Sequence, residues 1–202
     1  MRLSGSAQEE KFSRGRSRRR SKKAEAKMAE LDKLTGFMTQ KYFFEQLEYE
    51  VLRVKRYKGH LSLIMASVNY DFFEKKYEVK RHLSYAVLKQ LGIILRRILR
   101  NVDILTRYDG DNIAIMLTET DEAGAMLVAE RIRKAVETNS FKGDEKLATF
   151  NVAITAGVAT FVKHAKTARE LVVGAEKALH LGLAKGGNCV EPCPIILDES
   201  YI

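Results

Sequence analysis

Few residues of this chain have the spacing of a known metal-binding or nucleotide-binding motif. Cys189 and Cys193 form a C-x-x-x-C pair without a second pair, and we interpret them as ordinary residues of the last strand region. Gly186-Gly187 is too short and too late for a dinucleotide fingerprint. The histidines lack H-x-x-x-H spacing with a carboxylate, which does not favour a zinc site. They are His60, His82, His164 and His180. These residue types therefore predict neither a metal ion nor a dinucleotide.

Positive charge is the strongest compositional signal. The formal net charge is +9, of which residues 1–27 carry +7, and the run at residues 14–23 reads RGRSRRRSKK. Such a run repels itself and cannot fold alone. It could bind nucleic acid, an anionic membrane or an acidic protein, or it could simply be a solvated leader. No aromatic residue interrupts it, so a base-stacking platform is not indicated.

The rest of the chain is typical of one globular domain. Hydrophobic residues make up 46% and charged residues 30% of 202 residues, which excludes a wholly disordered chain, a collagen-like repeat and a disulfide scaffold. The stretch at residues 61–68 falls far short of the ~20 apolar residues of a membrane helix. No apolar core follows the basic N-terminus, so we expect a cytoplasmic protein. We predict a disordered tail over 1–27 and one domain over 28–202, with a leading helix at about 24–34.

Hydrophobic periodicity predicts the elements of that domain. Helices are expected at about 39–57, 77–99, 122–136 and 168–183. Strands are expected at about 60–69, 102–107, 112–117 and 150–161, with a final extended segment after Gly187. Asp109-Gly110 lies between two apolar runs, which is a strong hairpin signal. This order predicts an α+β fold in which helices flank a mostly antiparallel sheet.

Five motifs, in order and at the right spacing, resemble the GGDEF domains of diguanylate cyclases over about residues 30–193. They are DKLTGF at 32–37, LSLIM at 61–65, RYDGDNI at 107–113, AERIR at 129–133 and AGVA at 156–159. The resemblance implies a nucleotidyl-cyclase-like fold and chemistry on GTP. In that family, each subunit of a dimer holds one GTP, and the two are joined into cyclic di-GMP.

The metal-binding positions of that family are altered here. Its enzymes hold two Mg²⁺ ions with carboxylates from the first strand and from the hairpin. Ser67 replaces the strand's metal-binding Asp, and Asn112 replaces one acid of the hairpin, which leaves Asp111 alone. Asp109 replaces the first glycine of the hairpin and would add negative charge beside a triphosphate.

The substrate-binding positions are altered as well. Lys75 and Ser84 stand where the family reads guanine, and Leu183 and Gly187 stand where it binds phosphate with Lys and Arg. We therefore predict no catalytic residue, no metal and no cofactor, and hence no cyclisation.

The family's separate inhibitory site, which binds cyclic di-GMP, keeps its residue types. Its R-x-x-D signature is present as Arg100 and Asp103, five residues before Asp109, and its second arginine corresponds to Arg131. An arginine fork can bind guanine O6 and N7, a carboxylate can accept from guanine N1–H, and a second cation suits phosphate. Arg96 and Arg97 could contribute to this site, or could cap the C-terminus of their helix.

Two functions remain open at this point. The first is a cyclic di-GMP receptor that signals to a protein partner, in which the ligand could also bridge two copies of the chain. The second is a ligand-independent scaffold, with idle site residues that form a surface salt bridge between Arg100 and Asp103. A residual enzyme acting on another nucleotide is a third, which Asp111 alone supports poorly.

Overall fold

The computed structural model describes residues 31–33, 35–69, 82–142, 149 and 151–194. Within these residues lie four helices, α1 (Gln40–Tyr57), α2 (His82–Ile98), α3 (Glu122–Glu137) and α4 (Ala168–Ala184). The same ranges contain five strands, β1 (Leu61–Asn69), β2 (Ile104–Asp109), β3 (Asn112–Thr118), β4 (Ala153–Thr160) and β5 (Val190–Pro192). None of the described helices has the length and apolar character needed to cross a membrane.

The strands form one mixed sheet in the order β2-β3-β1-β4-β5. All neighbouring strands pair antiparallel except β4 and β5, which are parallel. The predicted hairpin is present, with Asp109 opposite Asn112 and Gly110 at a φ of 55° in the turn. The predicted α+β fold with a mostly antiparallel sheet is confirmed.

The central strand β1 is covered on both faces, which explains its nearly continuous apolar sequence. Leu61, Leu63 and Met65 pack into a cluster with α1 and α4 on one face. Ile64 and Ala66 pack into a second cluster with α2 and α3 on the opposite face. The sheet is therefore sandwiched between two pairs of helices, and α2 ends at the edge formed by β2.

Side-chain caps fix where three of the described helices begin. The side chains of Thr39, Asp121 and Thr167 accept from backbone N–H groups in the first turns of α1, α3 and α4, respectively. Because Thr, Asp and Ser are the usual N-cap residues, these starts could be predicted within one to two residues.

Three predicted boundaries were wrong. Residues 31–33 are not helical, because Leu31 pairs with Met38 as a β-bridge, so the leading helix does not extend to residue 34. Its remainder lies outside the described residues. Strand β2 begins at Ile104 and not at residue 102, since a turn occupies residues 101–103. Strand β4 begins at Ala153 and not at residue 150, since residues 151 and 152 belong to no strand.

Candidate ligand-binding site

Arg100 and Asp103 lie in the turn that joins α2 to β2. The backbone N–H of Arg100 donates to Oδ2 of Asp103 at 2.8 Å, and the N–H of Asp103 donates to the Arg100 carbonyl at 3.1 Å. These reciprocal bonds close the turn and orient the carboxylate. The contact thus uses the backbone of Arg100, so the surface salt bridge expected of an idle site is not the interaction that is present. The Arg100 side chain is exposed.

A cavity of about 270 Å³ opens beside this turn, and we call it the R-x-x-D cavity. Its lining combines two guanidinium groups, one carboxylate and one amide with an apolar floor. The lining residues are Gly36, Phe37, Met38, Arg96, Leu99, Arg100, Asn101, Asp103 and Leu105. A small, mostly apolar cavity with a few convergent polar groups is the usual form of a small-molecule site.

The carboxylate of Asp103 is the least satisfied polar group of this cavity. Its Oδ1 atom is buried and has no hydrogen-bond partner among the described residues. Burial raises the pKa of this carboxyl above its usual value, although the backbone N–H and the charge of Arg100 oppose the shift. A buried acceptor without a partner costs about 1–3 kcal/mol. A ligand that donates a hydrogen bond here would remove that cost.

The D-x-L-T-G loop, residues 32–38, is described except for residue 34, and its residues Gly36, Phe37 and Met38 form one wall of the R-x-x-D cavity. Asp32 closes the loop by accepting from the backbone N–H and the hydroxyl of Thr35, at 2.9 and 2.7 Å. Met38 fastens the loop to β2, since its N–H donates to the Leu105 carbonyl and its own carbonyl accepts from the Arg107 N–H. The motif that opened the resemblance is therefore part of the same site as the R-x-x-D turn.

The two arginines before the turn differ in position. Arg96 lines the R-x-x-D cavity, and its Nη2 donates to the Gly36 carbonyl at 2.7 Å. Arg97 is exposed and does not line the cavity. The sequence does not distinguish which of the two is a ligand contact and which is a helix cap, because this depends on where the loop 32–38 folds back.

Arg131, the third predicted site residue, is exposed on α3 and does not line the R-x-x-D cavity. It makes no hydrogen bond or ion pair with another described residue. The structure thus brings Arg100 and Asp103 together and places Arg131 outside their cavity, so its role in binding stays a prediction.

The positions of the family's metal ligands do not form a carboxylate cluster. Ser67 lies opposite Thr155 in the sheet, and Asn69 accepts a hydrogen bond from the Thr155 hydroxyl at 3.1 Å. Asp111 and Asn112 lie at the hairpin turn. Among the described residues, no group of three His, Cys, Asp or Glu side chains could hold a metal ion. The residues present therefore do not fit a pair of Mg²⁺ ions.

A hydrogen-bonded network occupies the neighbouring C-terminal loop, and we call it the Arg133 network. Arg133 donates to both oxygens of Glu130, to Glu137 and to the side-chain oxygen of Asn188, at 2.8–3.0 Å. Asn188 in turn donates to Glu137 at 2.7 Å and, through its backbone, to Thr155 at 3.0 Å. Hydrogen bonds from Arg133 lower the pKa of Glu130, and those from Asn188 and Arg133 lower the pKa of Glu137. The network ties α3 to the loop after α4.

Gly187 shows how closely this loop is packed. Its φ is +76°, a value that favours glycine, and a Cβ there would lie 2.0 Å from Nδ2 of Asn69. Any side chain at residue 187 would require either the Asn69 side chain or the loop to move. Lys75 and the side chain of Ser84, the two predicted substitutes for guanine contacts, lie outside the described part of the chain.

Comparison with known sequences agrees with these motifs. The family "Diguanylate cyclase, GGDEF domain" matches residues 29–189. Diguanylate cyclase A of Treponema denticola is 34% identical over 167 residues, which cover 81% of this chain and 44% of that protein. Response regulator PleD of Caulobacter vibrioides is 28% identical over 164 residues, covering 81% of this chain and 36% of that protein. The chain spans less than half the length of these curated relatives.

Solved structures share the fold. The coiled coil and GGDEF domain of DgcB from Caulobacter crescentus, crystallised in complex with c-di-GMP, has a TM-score of 0.80 at 16% identity. This match covers 92% of the present chain and 97% of DgcB's. The FimX GGDEF domain from Pseudomonas aeruginosa has a TM-score of 0.71 at 19% identity, covering 80% and 98%. At such identities the likeness shows the fold alone.

Proposed function

This chain belongs to the GGDEF family of diguanylate cyclases, and we propose that it is a cyclic di-GMP receptor without cyclase activity. The receptor binds the second messenger in the R-x-x-D cavity and relays its level to a protein partner. Arg100 and Asp103 contact the ligand from the cavity, and Arg131 approaches from α3.

The proposed loss of cyclase activity follows from the missing carboxylates at the positions where the family binds metal ions. Transfer of a phosphoryl group from GTP requires cations to neutralise the triphosphate, and carboxylates hold those cations. With Ser67 and Asn112 at two of the carboxylate positions, Asp111 is left to hold two hard cations alone. A side chain at residue 187, where the resemblance places a phosphate-binding arginine, would clash with Asn69, which adds a steric reason.

The single observation that carries the receptor proposal is the buried, unpartnered Oδ1 of Asp103 beside the exposed guanidinium of Arg100. Guanine presents N1–H and amino donors on one edge and the O6 and N7 acceptors on another. Asp103 supplies the acceptor and Arg100 supplies the donors, so one base satisfies both residues. The complex of DgcB with c-di-GMP supports this choice of ligand within the same fold.

Signalling requires a change that a partner can detect. Cyclic di-GMP carries two guanines, so a ligand bound at an exposed site of one copy can present its second base to another copy. Binding would then either alter the surface around loop 32–38 or link two copies in a ligand-bridged homodimer. The basic tail over 1–27 offers a further contact for an acidic protein, an anionic membrane or a nucleic acid.

Calorimetric titration of cyclic di-GMP into the purified chain tests the proposal. We expect micromolar or tighter binding that an Arg100→Ala, Asp103→Ala variant loses. Arg169→Ala is the matched control, because Arg169 is exposed on α4, which packs on the opposite face of the sheet. Absence of binding by the unmodified chain would favour the ligand-independent scaffold.

The loss of catalysis is tested separately. Purified protein incubated with GTP and Mg²⁺ should release no cyclic di-GMP, with an active diguanylate cyclase assayed in parallel. Detection of product that grows with protein concentration would contradict the proposal even if the ligand binds.

A further inference from the structure

We infer that Arg96 is a second ligand-binding cation of the R-x-x-D cavity, held ready for a ligand phosphate by the carbonyl of Gly36. This inference rests on the proposed function, because it adds a contact to the same ligand at the same cavity. It concerns a residue outside the R-x-x-D signature.

The position of Arg96 is set by two elements that meet only in the folded chain. Its backbone belongs to the last turn of α2, and its Nη2 reaches the loop 32–38 to donate to Gly36 at 2.7 Å. Gly36 permits this approach, since a Cβ at that residue would lie 3.0 Å from the same nitrogen. The φ of +67° at Gly36 is a further reason why a side chain is disfavoured there.

The anchored guanidinium keeps donors for a ligand. Arginine has a rigid fork of N–H groups, and a single bond to Gly36 leaves the others available on the cavity wall. Fixing a flexible side chain before binding reduces the entropy lost when the ligand arrives. Arginine forks bind phosphate in a bidentate manner, so a phosphodiester is the anionic group that suits this position.

The charge arrangement of the cavity supports the same conclusion. Arg100 and Asp103 together complement a guanine, and they leave the negative charge of a nucleotide without a dedicated cation inside the cavity. Arg131 does not line the cavity, whereas Arg96 does. Arg96, Arg100 and Asp103 line the same cavity of about 270 Å³, so one bound nucleotide unit can contact all three.

The competing explanation is that Arg96 only stabilises the C-terminus of α2, where a cation interacts well with the helix dipole. Arg97 lies in the same last turn and has the same charge, but it does not line the cavity. Arg97→Ala therefore controls for the helix-terminal effect, and a difference between the two variants isolates the cavity contact.

The experiment is a titration of cyclic di-GMP into the full chain and into Arg96→Ala, Arg96→Lys and Arg97→Ala variants. Loss of a charge-assisted hydrogen bond should weaken binding by about tenfold in Arg96→Ala. Arg96→Lys should be intermediate, because lysine keeps the charge and loses the fork. Arg97→Ala should bind as the unmodified chain does. Thermal melting of each free variant shows whether it is folded.

A spectroscopic measurement distinguishes a direct contact between Arg96 and the ligand from a purely structural role of Arg96. In an NMR spectrum of the chain with ¹⁵N-labelled arginine, the Nε–H signal of Arg96 is identified as the one that is missing from the Arg96→Ala variant. This signal should shift when cyclic di-GMP is added to the unmodified chain. If this signal does not shift, or if Arg96→Ala binds as tightly as Arg97→Ala, the inference is wrong while the receptor function stands. If the unmodified chain does not bind at all, the proposed function fails, and the inference fails with it.

Discussion

The R-x-x-D cavity and the Arg133 network are both rich in charge, but they satisfy their polar groups in opposite ways. In the Arg133 network, one guanidinium bonds to two glutamates and an asparagine, and Asn188 completes the set. In the R-x-x-D cavity, Oδ1 of Asp103 is buried without a partner, and the side chain of Arg100 is exposed.

This difference is what the proposed function predicts for a region that binds a ligand and a region that does not. Polar groups that are satisfied within the protein contribute to stability and leave little for a ligand to bind. Polar groups that are buried and unsatisfied cost stability and are retained where binding repays the cost. On the proposed function, the R-x-x-D cavity binds the ligand, whereas the Arg133 network ties α3 to the loop after α4.

The largest effect is expected for Asp103→Asn. The amide can still accept from the Arg100 N–H, but it loses the charge that receives the guanine donors, so cyclic di-GMP affinity should fall by about a hundredfold. Calorimetry measures this change. If this variant binds cyclic di-GMP as tightly as the unmodified chain does, Asp103 does not contact the ligand.

The same variant should be slightly more stable than the unmodified chain at pH 7. Because burial raises the folded-state pKa of Asp103, the folded chain holds a proton here more tightly than the unfolded chain does. Stability from this group is therefore lost as pH rises from its unfolded pKa through the raised one. Replacing it by a neutral amide should raise the melting temperature by roughly 1–2 °C at pH 7.

The next effect is expected for Gly187→Arg, which restores the arginine that the family has at this position. The new Cβ would clash with Asn69, and the φ of +76° would be strained, so we expect a loss of about 2 kcal/mol in the free energy of unfolding. Urea denaturation measures it. A variant as stable as the parent would show that the loop can open, and the steric argument against phosphate binding would fail.

A smaller effect is expected for Arg133→Ala, which removes the centre of the Arg133 network. The melting temperature should fall by about 3 °C, while the affinity for cyclic di-GMP should stay unchanged. Melting and calorimetry on one preparation test both parts. An equal loss of affinity would mean that the two regions are coupled and not independent.

The smallest effect is expected from pH. Protonated Asp103 is a weaker acceptor than the carboxylate because it has lost its charge, so the affinity of the unmodified chain should weaken as pH falls toward the raised pKa of this carboxyl. The residual affinity of Asp103→Asn should not follow the same curve. Titrations at several pH values, with ionic strength held constant, compare the two proteins.

Local patterns predicted most of the fold because they act within one element. Hydrophobic periodicity predicted the helices, whose starts the structure shows to be capped by Thr39, Asp121 and Thr167, and Asp109-Gly110 predicted the hairpin. The predicted start of β2 was wrong because the apolar Val102 lies in a turn, which the hydrogen bond from the Asp103 N–H to the Arg100 carbonyl closes. Apolar character alone does not distinguish a turn from the end of a strand.

The candidate site was predicted only in part, for a related reason. Arg100 and Asp103 are three residues apart and share one turn, so their proximity could be inferred from spacing. Arg96 and Gly36 are sixty residues apart, and no local pattern reports that they touch. Arg131 was placed by resemblance, which gives a position along the chain but not a distance in space.

The sequence by itself determined the family and the order of elements, because these depend on residue type and local spacing. It also predicted non-carboxylate residues at two positions where the resemblance places metal ligands. Only the tertiary structure decided that loop 32–38 forms a wall of the cavity and that Arg96, not Arg97, reaches it. It also decided that Oδ1 of Asp103 is buried without a hydrogen-bond partner among the described residues, while Oδ2 accepts from the Arg100 N–H. Those properties depend on where distant segments exclude water, and that exclusion exists only once the chain has packed.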